Sequence, residues 1–254
     1  MAKKKSFWTT VPGILTGIAS VIAALTALYL ALNPLHKDTI PSGAQPAATP
    51  LAATKAPSPS GWPLIAEETF TKEGWGWTIG SFPEEGRSSR FDLRVVDGKY
   101  RWDIEYKYIG SQHRTLISPY GSAVNFKVAV DVQFTDFTHP MTANLVFGST
   151  GNEQYEFMVS LNRYFALFIY DVKNKQYTTL IDATPITVKF EPDAWNRMSV
   201  VVDEQLIRCY LNSEVLGEYR HVGFTGGKVG LGVGTDQGGS VVIDFDNFEF
   251  RRKP

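Results

Sequence analysis

The 254-residue chain has one cysteine, Cys209, so no intramolecular disulfide can brace it. It has four histidines, His36, His113, His139 and His221, at no ligand spacing and with no cysteine partners. That argues against a zinc site. A Gly-x-Ser-x-Gly nucleophile elbow is missing. The glycines Gly227, Gly230 and Gly232 fall between strand-like runs and not before a helix, which excludes a phosphate loop. There is no Asn-x-Ser/Thr sequon. Net charge is only −1, and the five lysines of the first sixty residues (Lys3, Lys4, Lys5, Lys37, Lys55) face a single acid, Asp38. The remainder is therefore mildly acidic, and no basic field exists to draw nucleic acid.

Charge is also absent from residues 11–32, an apolar run in a chain that is 43% hydrophobic. As a helix it would reach roughly 33 Å, enough to cross a hydrocarbon core. Pro12 sits in the first turn, and Trp8 and Tyr29 stand near the two ends as interfacial aromatics do. Lys3, Lys4 and Lys5 predict a cytoplasmic N-terminus, residues 1–10. The run is too long for a cleaved signal peptide and has no small-x-small site at its end. The expectation is a single transmembrane helix that meets the lipid bilayer through residues 11–32 of a plasma-membrane protein. Gly13 and Gly17, then Ala19, Ala23, Ala27 and Ala31, repeat at a spacing that allows close helix approach, so a homodimer through this helix is one reading. Alanine-rich composition alone is the competing explanation.

Residues 33–60 hold Pro34, Pro41, Pro46, Pro50, Pro57 and Pro59 among small residues. Such a segment cannot bury a core and reads as a semi-rigid stalk.

Residues 61–254 show β periodicity instead. Phe126, Val128, Val130, Val132 and Phe134 share one strand face; Tyr155, Phe157, Val159 and Leu161 share another; Met198, Val200 and Val202 form a third. Tyr164 to Tyr170 is apolar on both faces, which predicts a central strand covered twice. Asp97-Gly98 between strand-like runs predicts a hairpin, and Gly226-Gly227 and Gly238-Gly239 mark further turns. About twelve strands at regular spacing predict one all-β domain, an antiparallel sandwich or jelly roll.

In the C-terminal third, Trp195-Asn-Arg-Met-Ser-Val-Val-Val-Asp203 is followed by Ile207-Arg-Cys-Tyr-Leu-Asn212, Gly227-Lys-Val-Gly-Leu-Gly-Val233 and Val242-Ile-Asp-Phe-Asp-Asn-Phe248. With Ala66-Glu-Glu-Thr-Phe70, this order resembles the concanavalin A-like lectin/glucanase superfamily, especially its laminin-G-like and family-16-like bacterial domains of the 3-keto-disaccharide hydrolase type. The resemblance implies a two-sheet jelly roll that often grips a saccharide. One departure is Asn212-Ser213, where relatives usually have glycine second.

Family-16 glucanases carry Glu-x-Asp-x-Glu on one strand. The nearest match is Arg101-Trp-Asp-Ile-Glu105, in which a cation replaces the first carboxylate. Arg101 cannot act as a nucleophile, so that chemistry is not expected. The strand still divides its residues cleanly. Tyr100, Trp102, Ile104, Tyr106 and Tyr108 face one way, and Arg101, Asp103, Glu105 and Lys107 the other. The charged face is either a solvated surface or a ligand-binding strip, and Trp75 and Trp77 are either core or stacking platforms. The ligand-binding reading takes Trp75, Trp77, Arg101, Asp103, Glu105 and Lys107 as its site. No cofactor is expected. Asp236, Asp244, Asp246 and Asn247 offer oxygens to calcium but lack the spacing of a dedicated loop.

Three readings of function follow. The first is a non-catalytic carbohydrate-recognition module outside the membrane. The others are a sugar hydrolase or lyase built around Asp103 and Glu105, and a structural or protein-binding ectodomain.

Overall fold

The structure, a computed structural model, describes residues 61–71, 76–83, 89–106, 123–235 and 238–254 and the backbone of 112–117. The expected cytoplasmic segment, transmembrane helix and stalk lie outside the described residues, as do Trp75, Lys107 and Asp236. No helix long and apolar enough to cross a membrane occurs among the described residues.

Alternation of apolar and polar residues makes the chain a succession of strands. They are β1 (Leu64–Glu68), β2 (Gly80–Pro83), β3 (Arg90–Val96), β4 (Lys99–Tyr106), β5 (Gln112–Ile117), β6 (Phe126–Phe137), β7 (Met141–Ser149) and β8 (Glu153–Ser160). Then come β9 (Tyr164–Asp171), β10 (Gln176–Pro185), β11 (Asn196–Asp203), β12 (Leu206–Leu211), β13 (Glu214–Arg220), β14 (Lys228–Thr235) and β15 (Gly239–Arg252). Among the described residues fifteen strands stand where about twelve were expected.

All described pairings are antiparallel. One sheet runs β13-β12-β11-β6-β15-β4-β3-β2, with β1 on β15; the other runs β10-β9-β8-β7-β14-β5. This is the two-sheet jelly-roll sandwich that the sequence predicts. Its core is the layer between the sheets. Phe126, Val128, Val130, Val132 and Phe134 of β6 are buried there, with Met198, Val200 and Val202 of β11 and Tyr155, Phe157 and Val159 of β8. Cys209 is buried among them as a small hydrophobe, and burial pushes its thiol pKa far up.

The Asp97-Gly98 hairpin joins β3 to β4 with φ of 52° and 69°, the mirror-image turn whose twist matches that of the strands. Glu204-Gln205 and Asn212-Ser213 adopt the same left-handed conformation without glycine. β9 departs from expectation. It lies next to the edge strand β10, and only one of its faces is core. Phe165 and Leu167 are buried, whereas Phe168 and Tyr170 are half-buried on the other face and Tyr164 is exposed. The apolar second face is an aromatic strip, not a second core.

Candidate functional site

Strand β4 divides its residues as alternation requires. Tyr100, Trp102, Ile104 and Tyr106 are buried, while Arg101, Asp103 and Glu105 lie on the outer face of the nine-stranded sheet. That outer face is a lattice of ion pairs. Arg101 donates Nε to Asp244 Oδ1 at 2.7 Å and Nη2 to Oδ2 at 2.8 Å. Lys99 Nζ stands 3.6 Å from the same carboxylate. Arg94 bonds Asp92 at 2.7 Å and reaches Asp103 at 3.8 Å. Further along, Arg197 meets Asp131 at 3.1 Å and Glu249 at 2.7 Å. Arg101 is therefore committed to Asp244, and Glu105 is exposed. Trp77 is not an open platform. It is buried against Phe70, Tyr100 and Phe248, with ring centroids 5.2–5.6 Å apart. No group of three or more His, Cys, Asp or Glu side chains is arranged for a metal ion among the described residues.

The outer face of the six-stranded sheet is different. On β7, Ala143, Leu145 and Phe147 point into the core, so Thr142, Asn144 and Val146 point away from it. On β8 the outward positions are Gln154, Glu156 and Met158. Register sets these side by side: Asn144 opposite Met158, and Val146 opposite Glu156, which is opposite Phe168 on β9. Gln154 faces Tyr170, which faces Tyr177 on β10. On β14 the positions beside Asn144 and Val146 are Gly232 and Gly230, which bring no side chain to that face.

Three polar side chains on this face form a hydrogen-bonded chain. Asn144 Nδ2 donates to Glu156 Oε2 at 3.0 Å, and Gln154 Nε2 donates to Glu156 Oε1 at 2.8 Å. All three are buried, Glu156 to 1% exposure, although they stand opposite the core. A buried carboxylate persists only when donors satisfy it, and these two amides supply them. The donor role of Asn144 fixes its amide orientation and turns Oδ1 the other way. That oxygen is buried with no hydrogen-bond partner among the described residues. Beside the chain lies the aromatic strip: Tyr170 and Tyr177 with centroids 4.7 Å apart, and Phe168 edge-on to Tyr177 at 5.8 Å. Tyr177 and Tyr164 are exposed.

Alternation along β8 points to its Tyr155, Phe157 and Val159 face, and these residues lie on the other one. The available signal was the opposite face, where Gln154 and Glu156 alternate with buried aromatics. The spacing of Gln154, Glu156 and Met158 is that of Glu-x-Asp-x-Glu with one carboxylate in place of three.

No family model matches the chain, and no curated protein matches it. Solved structures do. A carbohydrate-binding module, CBM66, from Bacillus subtilis superposes with a TM-score of 0.52 at 15% identity, covering 69% of this chain and 95% of that one. The catalytic domain of an endo-1,3-β-glucanase (laminarinase) from Thermotoga petrophila RKU-1 superposes with a TM-score of 0.54 at 10% identity, covering 76% of this chain and 98% of that one. A Bacillus subtilis protein with a galectin-like fold gives 0.53 at 9% identity, covering 74% and 96%. The described residues thus have the concanavalin A-like jelly-roll fold.

Proposed function

We propose that the β-sandwich is a non-catalytic carbohydrate-recognition module, held outside the cytoplasm on a stalk and a single membrane anchor. The observation that carries this is the buried Asn144–Glu156–Gln154 chain beside the aromatic strip of Phe168, Tyr170 and Tyr177. A sugar presents hydroxyls at its rim and C–H groups on its faces. Asn144 Oδ1 has no hydrogen-bond partner among the described residues and can accept from a sugar hydroxyl; an unsatisfied buried acceptor costs about 1–3 kcal/mol. The aromatic rings suit the C–H face. Fold neighbours named as a carbohydrate-binding module and as laminarinases support a sugar ligand.

The same face argues against hydrolysis. Retaining glycosidases need two carboxyl groups about 5–5.5 Å apart. Along β7, β8, β9 and β14 this face carries one carboxylate, Glu156, among the described residues, and Met158 holds the next outward position. The extracytoplasmic placement rests on the uncharged run 11–32 behind Lys3, Lys4 and Lys5.

The test is a glycan array probed with the full-length protein, followed by incubation with each hit and measurement of new reducing ends. Binding without new ends is expected, and Asn144→Ala should weaken it. An array without hits overturns the module, and new reducing ends overturn its non-catalytic character. Protease added to intact cells should release the sandwich by cuts in the stalk. Protection until the membrane is permeabilised overturns the topology.

A further inference from the structure

Trp195 is the exposed tryptophan among the described residues, 40% accessible, on the turn that leads into β11. That turn is unusually well tied. Asn196, buried, donates Nδ2 to the carbonyls of Glu191 and Ala194 at 2.7 and 2.8 Å. Phe134 N–H donates to the Pro192 carbonyl at 2.9 Å, and Gln133 Nε2 to that of Asp193 at 2.5 Å. An exposed aromatic on a braced turn is pre-organised, so a ligand stacking on it meets little ordering cost.

Its position is set by one more contact. The Lys99 ammonium lies 5.5 Å from the Trp195 ring centroid. Lys99 opens β4, and β6 and β15 intervene between β4 and β11. Three strand spacings amount to about 14 Å. Side chains from β4 and from the start of β11 meet across that span only by lying along the sheet. The indole is therefore laid over the outer face of the nine-stranded sheet, with one side turned to solvent.

The rim is polar and electrically balanced. Lys99, Arg101 and Arg197 stand among Asp131, Asp244 and Asp246. Asp131 and Asp246 are direct cross-strand partners, yet only Asp131 is held by Arg197. Asp246 accepts the Asn247 N–H at 2.6 Å and pairs with no cation within 4 Å among the described residues. Burial raises its pKa, and the neighbouring Asp131 charge adds to that effect. A carboxylate in this position gains from a donor.

We propose that Trp195, with Lys99 and Asp246 at its rim, is a second saccharide platform that takes the face of a neutral pyranose. Trp195 stacks on the C–H face, Asp246 accepts a hydroxyl hydrogen and Lys99 donates to a ring substituent. The balanced charge around the ring favours a neutral sugar over a uronate, a sulfated sugar or an amino sugar. The site extends the carbohydrate-binding reading to the opposite sheet, so the sandwich binds glycan on both outer faces.

Full-length protein titrated calorimetrically with short neutral oligosaccharides of glucose, mannose or N-acetylglucosamine tests it. Two binding events per chain are expected. Trp195→Ala should weaken one about tenfold, the scale of one lost stacking contact and its buried area. Trp195→Phe should retain part of the affinity. Lys99→Met, which removes the ammonium but keeps the indole, should weaken the same event, and Asn144→Ala should weaken only the other. Unchanged binding by Trp195→Ala and Lys99→Met overturns the platform. Loss through Asn144→Ala alone overturns the platform and leaves the first site standing. Loss through Trp195→Ala alone supports the platform and overturns the first site. A wild type that binds no oligosaccharide overturns both.

Discussion

The Arg101 guanidinium clasps Asp244 through two parallel hydrogen bonds of 2.7 and 2.8 Å, and the Asp244 side chain is wholly buried beneath it. Removing Arg101 would leave a buried carboxylate with Lys99, at 3.6 Å, as its one remaining cation among the described residues. Arg101→Ala should therefore cost about 3–5 kcal/mol. Asp103, half exposed and 3.8 Å from Arg94, belongs to the weak class of surface pairs, so Asp103→Ala should cost less than about 1 kcal/mol. Urea unfolding of the two variants checks the contrast. Equal losses would show that the clasp contributes no more than a surface pair.

Trp102 is fully buried between Tyr100 and Phe245, with centroids 5.6 and 5.3 Å away. Trp102→Ala removes a ring that the packed surroundings cannot refill, and should lower stability by about 3–5 kcal/mol. Trp195→Ala, at an exposed site, should leave the thermal transition almost unchanged. The pair of melting curves separates a core tryptophan from a surface one.

Ser213 adopts φ of 71°, a left-handed conformation that an L-residue with a Cβ occupies at a cost. Glycine occupies it freely, although it also loosens the unfolded chain. Ser213→Gly should stabilise the domain by up to about 1 kcal/mol in denaturant titration. A loss instead would mean that the Ser213 side chain contributes more than the turn's strain costs.

Two carboxylates of β15 should respond oppositely to acid. Burial raises the Asp246 pKa, aided by Asp131, so the fold favours its protonated form. Its contribution is complete below the unfolded-state value and is lost as pH rises through the folded one. Asp246→Asn should thus be more stable than wild type near neutrality, with the difference closing in acid. At Glu249 burial pushes the pKa up, but the Arg251 hydrogen bond and the charges of Lys127, Arg251 and Arg197 outweigh it and the net shift is down. Its contribution is present above the unfolded-state value and is lost as pH falls through the folded one. Glu249→Gln should be less stable near neutrality and converge with wild type in acid. Melting temperatures across an acid-to-neutral pH series, read for both variants, check the two signs.

Much of the sandwich was legible before folding. The Phe126–Phe134 alternation, the Asp97-Gly98 hairpin and the two-sided division of β4 are local: a strand repeats every second residue, and a mirror-image turn needs residues that tolerate positive φ. Turns without glycine, at Glu204-Gln205 and Asn212-Ser213, are harder to read, because the hydrogen bonds of the flanking strands hold them there.

The sequence by itself determined an all-β domain behind an uncharged apolar run, and it determined which residues of each strand share a face, because these follow from short-range periodicity. Only the tertiary structure decided what each face meets. Whether Arg101 was a free cation or half of a clasp depended on Asp244, 143 residues away. Whether Trp77 or Trp195 was open to solvent depended on packing against Phe70, Tyr100 and Phe248 in one case and on a braced turn in the other. The Asn144–Glu156–Gln154 chain needed the register of β7 against β8. Register, burial and ion pairing are long-range quantities, set when strands distant in sequence come together in one sheet.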